Sequence, residues 1–360
     1  MSRRPGDGVG SVSSHHSLAP AVRHLLHRYI PAHFNDPLGL AVRLIRTRHP
    51  AALFAMGAAA AGAATAPLDL LLKPLERRTV GDASTPRHPL ILVCGAPRSG
   101  TTLVYQTLIN HLPVAYFSNL TSLFPRSPLT SLRLFQRFLA APAARYDSFY
   151  GRTPGLAGSN DALYLWDRWL GPDRARPPES LLDEAIADMQ QFFAACDGLF
   201  NRPLVNKNNN LNVSAHLVAA ALPHAHFVCV TREPGQLARS LYRARLDIHG
   251  TDATPYGLAA GVPTDGSDTD PVRSVCEQAM FFQRVAKMQQ ARIGADRFSI
   301  VRYEEFCRRP RELVEHVAAD VLNDRRAVHG EAPAAFTASK SDKVDGAVAR
   351  RIDEQLVQLE

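Results

Sequence analysis

The stretch CGAPRSGTT, residues 94–102, decides how the rest of the chain is read. It stands between LILVCG (90–95), a continuous apolar run ending in glycine, and SGTTLVYQTLINHL (99–112), which reads as helix. A glycine loop between strand and helix aims successive backbone N–H groups and the positive helix end at one place, which suits a phosphate. Gly95 and Gly100 have the spacing of the nucleotide-phosphate loop G-x-x-x-x-G-K-[ST], yet Thr101 stands where the lysine belongs and the cation comes earlier, as Arg98. The loop offers the hydroxyls of Ser99, Thr101 and Thr102 and one guanidinium. It therefore suits a single phosphate carrying a transferable group better than a triphosphate with magnesium.

Outward from the loop the same grammar recurs. HFVCV (226–230) leads into TREPGQLARSLYRARL, and FSIVRY (298–303) into EEFCRRPRELVEHVAADVL. Continuous apolar strands separated by helices indicate an α/β fold, a three-layer P-loop-type domain with a central parallel sheet, expected over residues 86–360. No apolar run ends in the acid that would hold magnesium, since HFVCV runs into Thr231 and Arg232 and FSIV into Arg302. That and the missing lysine weigh against a nucleotide or small-molecule kinase on the same fold. Two turn-rich stretches, 171–180 and 250–271, have the length of functional lids or disordered segments.

GAPRSGTTL resembles the 5′-phosphosulfate loop of sulfotransferases that use 3′-phosphoadenosine 5′-phosphosulfate (PAPS), in the P-R-S-G-T-T form of the tyrosylprotein and many bacterial carbohydrate and small-molecule enzymes. VCVTREPGQLARS is similar to the family's second motif, a strand ending in Arg with Ser eight residues on. The resemblance implies that Pro97, Arg98, Ser99, Gly100, Thr101 and Thr102 bind the 5′ end of the donor and that Arg232 and Ser240 grip its 3′-phosphate. In LVNKNNN, Lys207 is similar to the lysine that approaches the bridging oxygen of the phosphosulfate; in VRYEEFCRRP, Tyr303 is similar to the tyrosine near the adenine. The likeness covers about residues 90–325. It implies PAPS as co-substrate, no metal, and a hydroxyl-bearing acceptor: sugar, lipid, polyketide or phenol.

The chemistry agrees without the family. Moving a sulfuryl group to a hydroxyl puts charge on the leaving phosphate oxygen, which positioned cations such as Arg98 and Lys207 stabilise, and a base must take the acceptor's proton. That base is the weakest part of the pattern. Ser118 and Asn119 stand where tyrosylprotein enzymes carry a glutamate, and Asn208 to Asn210 where aryl and steroid enzymes carry a histidine. Asp161, with Asp167 behind it, is the best substitute, in the aromatic-rich stretch GSNDALYLWDRWLG; His111 and His216 are weaker, and Lys340 and Lys343 are placed like the basic residues near this end that reach the cofactor in relatives. A missing standard base also leaves open a protein that binds PAPS or its product without catalysis. Taken singly, Arg232 is equally explained by a pair with Glu233, Ser240 by solvation, and Tyr303 as a rim residue of the core.

Composition sets the outer bounds. With 360 residues and 46% hydrophobic residues the chain can bury one large core or two modest ones. Five scattered cysteines without a C-x-x-C pair indicate a reducing compartment, hence the cytoplasm, and no disulfide framework. Of the net charge of +7, seven Arg against two Asp in the first fifty residues supply most, so the excess sits on an N-terminal arm and no nucleic-acid partner is expected. Residues 1–85 read as a helical extension with a disordered start: Val22, Leu25, Leu26, Tyr29 and Ile30 recur at helical spacing, as do Leu38, Ala41, Val42 and Ile45. AALFAMGAAAAGAATA (51–66) is short of the ~20 residues that cross a bilayer and is followed by Pro67 and Asp69, which reads as a packed helix, and 76–89 reads as a linker. The extension is expected to dock on the catalytic domain or to touch a membrane surface peripherally.

Overall fold

The computed structural model describes residues 37–81, 86–138, 146–171, 177–258, 270–340 and 344–359; the expected disordered start, the pattern at 22–30 and Lys343 lie outside the described residues. Four strands form one parallel sheet: β1 (Leu90–Gly95), β2 (Leu204–Lys207), β3 (Ala225–Thr231) and β4 (Phe298–Arg302), in the order β2-β1-β3-β4. β1 pairs with β3 over its whole length, from Leu90 opposite Ala225 to Gly95 opposite Val230. Every residue of β1 is buried because alternate side chains enter two different cores. Leu90, Leu92 and Cys94 join Phe117, Trp166 and Phe192 on one face, while Ile91 and Val93 meet Val104, Leu108 and Val314 on the other. A strand covered on both faces has no polar side, and each such aliphatic side chain contributes about 1.5–3 kcal/mol.

Helices Leu163–Leu170, Asp183–Phe200 and Leu211–Ala221 cover the first face; helices Thr101–His111, Tyr303–Arg308 and Pro310–His316 cover the second. A third cluster joins helices Pro234–Ala244, Pro271–Ile293 and Gly346–Leu359. β2 has no counterpart among the expected strands. It is four residues long and ends in Asn206 and Lys207, so it lacks the apolar run that marks the other three, and only its pairing with β1 makes it a strand.

The parallel arrangement puts all four carboxyl ends on one edge of the sheet. From β1 the chain goes to β2 on one side and to β3 and β4 on the other, so the loop after β1 sits where the connections diverge, the usual place for a ligand in an open α/β sheet. Two glycines shape that loop. A Cβ on Gly95 would lie 2.4 Å from the Val230 carbonyl oxygen, and one on Gly100, where φ is +97°, would lie 2.2 Å from the Tyr303 ring. Gly100→Ala is therefore expected to cost about 2 kcal/mol or more, the sum of a left-handed backbone and an overpacked ring, read as a lowered thermal midpoint.

The N-terminal region departs from expectation. The Ala-rich segment neither stops at Pro67 nor gives way to a linker at residue 76; one helix runs Pro50–Gly81 through Pro67 and Pro74, and residues 82–85 lie outside the described residues. Both prolines are exposed, so the carbonyls they leave unbonded, four residues back, are on the open side of the helix. Tertiary bonds then hold its far half. The carboxylate of Asp69, fully buried, accepts from the Ser127 hydroxyl at 2.7 Å, and Glu76 accepts from the backbone N–H groups of Leu129 and Thr130 at 3.1 and 2.7 Å. Glu76 thereby caps the helix Pro128–Phe135, whose own Ser127 makes no side-chain cap. Burial pushes its carboxyl above the ordinary value, against the pull of those N–H groups.

Candidate active site

Each strand delivers one expected residue to the shared edge. Lys207 is the last residue of β2, Arg232 follows β3, Tyr303 follows β4, and residues 96–100 form the loop after β1. Gly100 stands before the helix Thr101–His111 in the left-handed conformation and no side chain caps that helix, so its first N–H groups belong to the loop. Arg98 also has a positive φ of 71°. Such backbone strain in a non-glycine residue is held by its surroundings and clusters at ligand clamps. Ser99 differs from expectation. It is fully buried and both its N–H and its hydroxyl go to the Ala96 carbonyl, at 3.1 and 2.8 Å, because a serine here closes the loop on itself. Thr101, also buried, donates to the Asn209 side-chain oxygen at 3.0 Å.

The centre is Lys207. Its ammonium, 2% exposed, donates to the Thr102 hydroxyl at 3.2 Å and pairs with Asp161 at 2.9 Å. Thr102 is on the loop helix and Asp161 precedes helix Leu163–Leu170, so one buried cation joins three elements. Burying an ammonium costs several kcal/mol unless it is paired and bonded, and both conditions are met here. Asn160, the residue before Asp161, is held by a network: the Trp166 indole donates to Asn206 at 2.8 Å, Asn206 to the Asn160 carbonyl at 3.2 Å, Asn160 to Asn119 at 2.9 Å, and Asn119 to the carbonyls of Thr153 and Gly155.

Arg232 and Ser240 meet on Arg98. The Arg232 guanidinium donates to the Arg98 carbonyl at 2.9 Å and to the Ser339 carbonyl, and lies over the Tyr303 ring at 5.0 Å; Ser240 accepts from Arg98 Nε at 3.3 Å. Burial draws Arg232 below the ordinary arginine value. Glu233 caps its own helix through the N–H groups of Gly235 and Gln236, which removes it as the explanation of Arg232. Tyr303 is buried in the second core face, and its hydroxyl accepts from Ser339 N–H at 3.1 Å. This tyrosine supports the loop glycine and the guanidinium from below.

Residues 89–320 match the Sulfotransferase family, well over half of the chain. The chain belongs to that family. Among solved structures, the sulfotransferase resembles sulfotransferase STF9 from Mycobacterium avium (16% identity over 93% of this chain and 81% of that one, TM-score 0.46) and sulfotransferase STF1 from Mycobacterium tuberculosis H37Rv (13%, 94% and 86%, 0.46). A sulfotransferase domain from the Synechococcus PCC 7002 olefin synthase is similar at 15% identity, covering 77% of this chain and 94% of that one, with a TM-score of 0.38. No curated protein matches.

In this sulfotransferase two further segments close over the loop. Phe149 and Arg152 exchange backbone hydrogen bonds at 2.9 Å around a two-residue tip, Tyr150–Gly151, with positive φ at both positions (48° and 83°). Tyr150 stacks on Arg98 (4.4 Å) and donates to Asp247 at 2.7 Å; burial and that bond both push its phenol up. A Cβ on Gly151 would meet the Lys207 ammonium at 3.2 Å. The second segment, 250–258, brings Gly257 onto Pro97 and Tyr256 onto Tyr150 (5.8 Å), held by Gln278, which donates to the carbonyls of Tyr256 and Leu258. The N-terminal region touches both segments: a Cβ on Gly250 would lie 3.0 Å from the Arg43 guanidinium, which also donates to the Ile248 carbonyl at 3.0 Å, and His49, between the two N-terminal helices, lies against Phe149 at 5.1 Å. In the sequence, the only signal of the tip was a Tyr-Gly pair within YDSFYGR.

The remaining candidates are placed elsewhere. His111 links the Tyr146 hydroxyl (2.8 Å) to the His329 carbonyl (3.2 Å), and His216 faces Gln289 across two helices. Asp167 lines a recess with Trp166, Asn210 and Ser214. Lys340 is exposed beside Ser339, the residue that touches Arg232.

Proposed function

We propose that this sulfotransferase moves a sulfuryl group from PAPS to the hydroxyl of an acceptor. The observation that carries the reading is the Thr102–Lys207–Asp161 chain, which joins the phosphate-type loop, a buried cation and a carboxylate in one place. In the step proposed, the acceptor oxygen attacks sulfur, the bond from sulfur to the bridging phosphate oxygen breaks, Asp161 takes the acceptor proton, and adenosine 3′,5′-bisphosphate leaves. Charge grows on the leaving oxygen, where Lys207 and the N–H groups of the loop stabilise it; such donors are worth about 10²–10³ in rate. Arg98, Gly100 and Thr102, each only partly buried, supply the 5′ contacts, and Arg232 with Ser240 the 3′-phosphate contacts. Five free, buried thiols support a cytoplasmic setting.

Incubation of the protein and sulfur-35 PAPS with a cell extract tests the whole reading: one labelled product, heavier than its precursor by one sulfuryl group, is expected. Binding of adenosine 3′,5′-bisphosphate with no transfer to any acceptor would leave a binding module instead. The donor assignment has its own test. A charge-assisted hydrogen bond is worth roughly 1.5–3 kcal/mol, so Arg232→Ala should weaken calorimetric binding of adenosine 3′,5′-bisphosphate by about tenfold to a few hundredfold and leave adenosine 5′-monophosphate nearly unchanged. Equal losses for both nucleotides would make Arg232 a support of the loop through the Arg98 carbonyl.

A further inference from the structure

Helix Pro50–Gly81 is long and apolar enough, by length and composition, to cross a bilayer, yet it lies along the catalytic domain. Its inward stripe follows helical spacing: Ala58, Ala61 and Leu72 pack on Leu120, Leu123 and Phe124, Thr65 donates to the Leu123 carbonyl at 2.9 Å, and Asp69 and Glu76 make the bonds already described. The exposed arc of the helix is apolar. Leu53, Leu68, Leu70, Leu71 and Leu75 are exposed, Leu71 at 76%, and Val42 and Ile45 of the preceding helix Pro37–Thr47 are exposed as well. Between Leu53 and Leu68 no charged residue interrupts this arc, and an exposed apolar surface in water marks a place for a partner.

Charge identifies the partner. In the described residues up to Gly81 the only two acids are Asp69 and Glu76, both buried, whereas Arg46, Arg48, Lys73, Arg77 and Arg78 are all exposed. The open arc thus carries one leucine near its start, four in its second half and cations at both ends, with no exposed acid. A second copy of the chain docked on the same face would set these cations against each other in either orientation, because both ends are basic. An anionic lipid surface has the complementary charge and takes the leucines into its headgroup–acyl boundary. Spanning is opposed by Asp69 and Glu76, whose bonds to residues 126–130 would have to break.

We infer that the outer face of the helices Pro37–Thr47 and Pro50–Gly81 is a docking surface for an anionic membrane, on which the enzyme sits peripherally. Co-sedimentation of the full-length protein with large unilamellar vesicles tests this, using phosphatidylcholine alone and phosphatidylcholine with about a third phosphatidylglycerol. Binding to the anionic vesicles is expected at least about tenfold tighter than to the neutral ones and weaker at high salt. Leu71→Glu with Leu75→Glu should reduce it about tenfold or more, as should Arg77→Glu with Arg78→Glu, with an unchanged thermal midpoint because all four side chains are exposed. The inference is overturned by equal or absent binding to both vesicle types. It is overturned also by a dimer in gel filtration that Leu71→Glu converts to monomer, or by membrane association in cells that alkaline carbonate does not release.

Discussion

Lys207→Met should slow sulfuryl transfer by about a hundredfold or more while the affinity for adenosine 3′,5′-bisphosphate changes little. Methionine keeps the length and apolar stem of the lysine, so the slot between β2 and Gly151 stays filled, and the charge alone is withdrawn. The partners left behind tolerate this: Asp161 is 27% exposed and can be hydrated, and Thr102 retains its place on the loop helix. The stabilisation lost is that of charge developing on the leaving oxygen, which exists only in the transition state, so the loss should fall on kcat and not on binding. Pre-steady-state release of adenosine 3′,5′-bisphosphate measures it directly. A rate within a few-fold of the parent removes Lys207 from the chemical step and leaves it a buried tie between Thr102 and Asp161.

Asp161→Asn should slow transfer by about 10²–10⁴-fold, the range for loss of a general base. The variant has a second consequence, since it deprives a buried ammonium of its counter-charge, and breaking such a pair costs about 3–5 kcal/mol of stability. A double-mutant cycle separates the two. In the Lys207→Met background there is no buried ammonium for Asp161 to balance, so Asp161→Asn can then act only through proton transfer. A further loss of about tenfold or more there assigns the base to Asp161. If the double variant is no slower than Lys207→Met alone, Asp161 is a positioning residue. The search then moves to Asp167, in the recess beside Asn210.

The residues that could be read from the sequence are those whose role is local. LILVCG names a doubly covered strand because apolar residues in succession have no other use at that length, and Gly95 and Gly100 name the loop because no side chain fits the Val230 carbonyl or the Tyr303 ring. The two motifs and their strand-to-helix settings were therefore legible, and with them the family. Lys207 was visible only through the resemblance: its strand is four residues long and exists by virtue of pairing with β1, a contact 114 residues away in sequence between Val93 and its partner. The Tyr150–Gly151 tip, the turn of Ser99 into the loop and the run of asparagines behind Asp161 left no periodic trace, since each depends on which distant atoms it meets.

The N-terminal helix shows the same division most plainly. Composition established that residues 51–66 are helical and weakly apolar; it could not show that the helix would pass two prolines and reach Gly81, because what holds that half is a pair of carboxylates bonded to backbone and hydroxyl groups of residues 126–130. Strand, loop and helix propensity are properties of neighbours in sequence, and the sequence by itself determined them. Which face of a helix is buried, which serine turns inward and which aspartate meets the lysine are properties of neighbours in space. Those were decided only when four parallel strands brought their carboxyl ends to one edge.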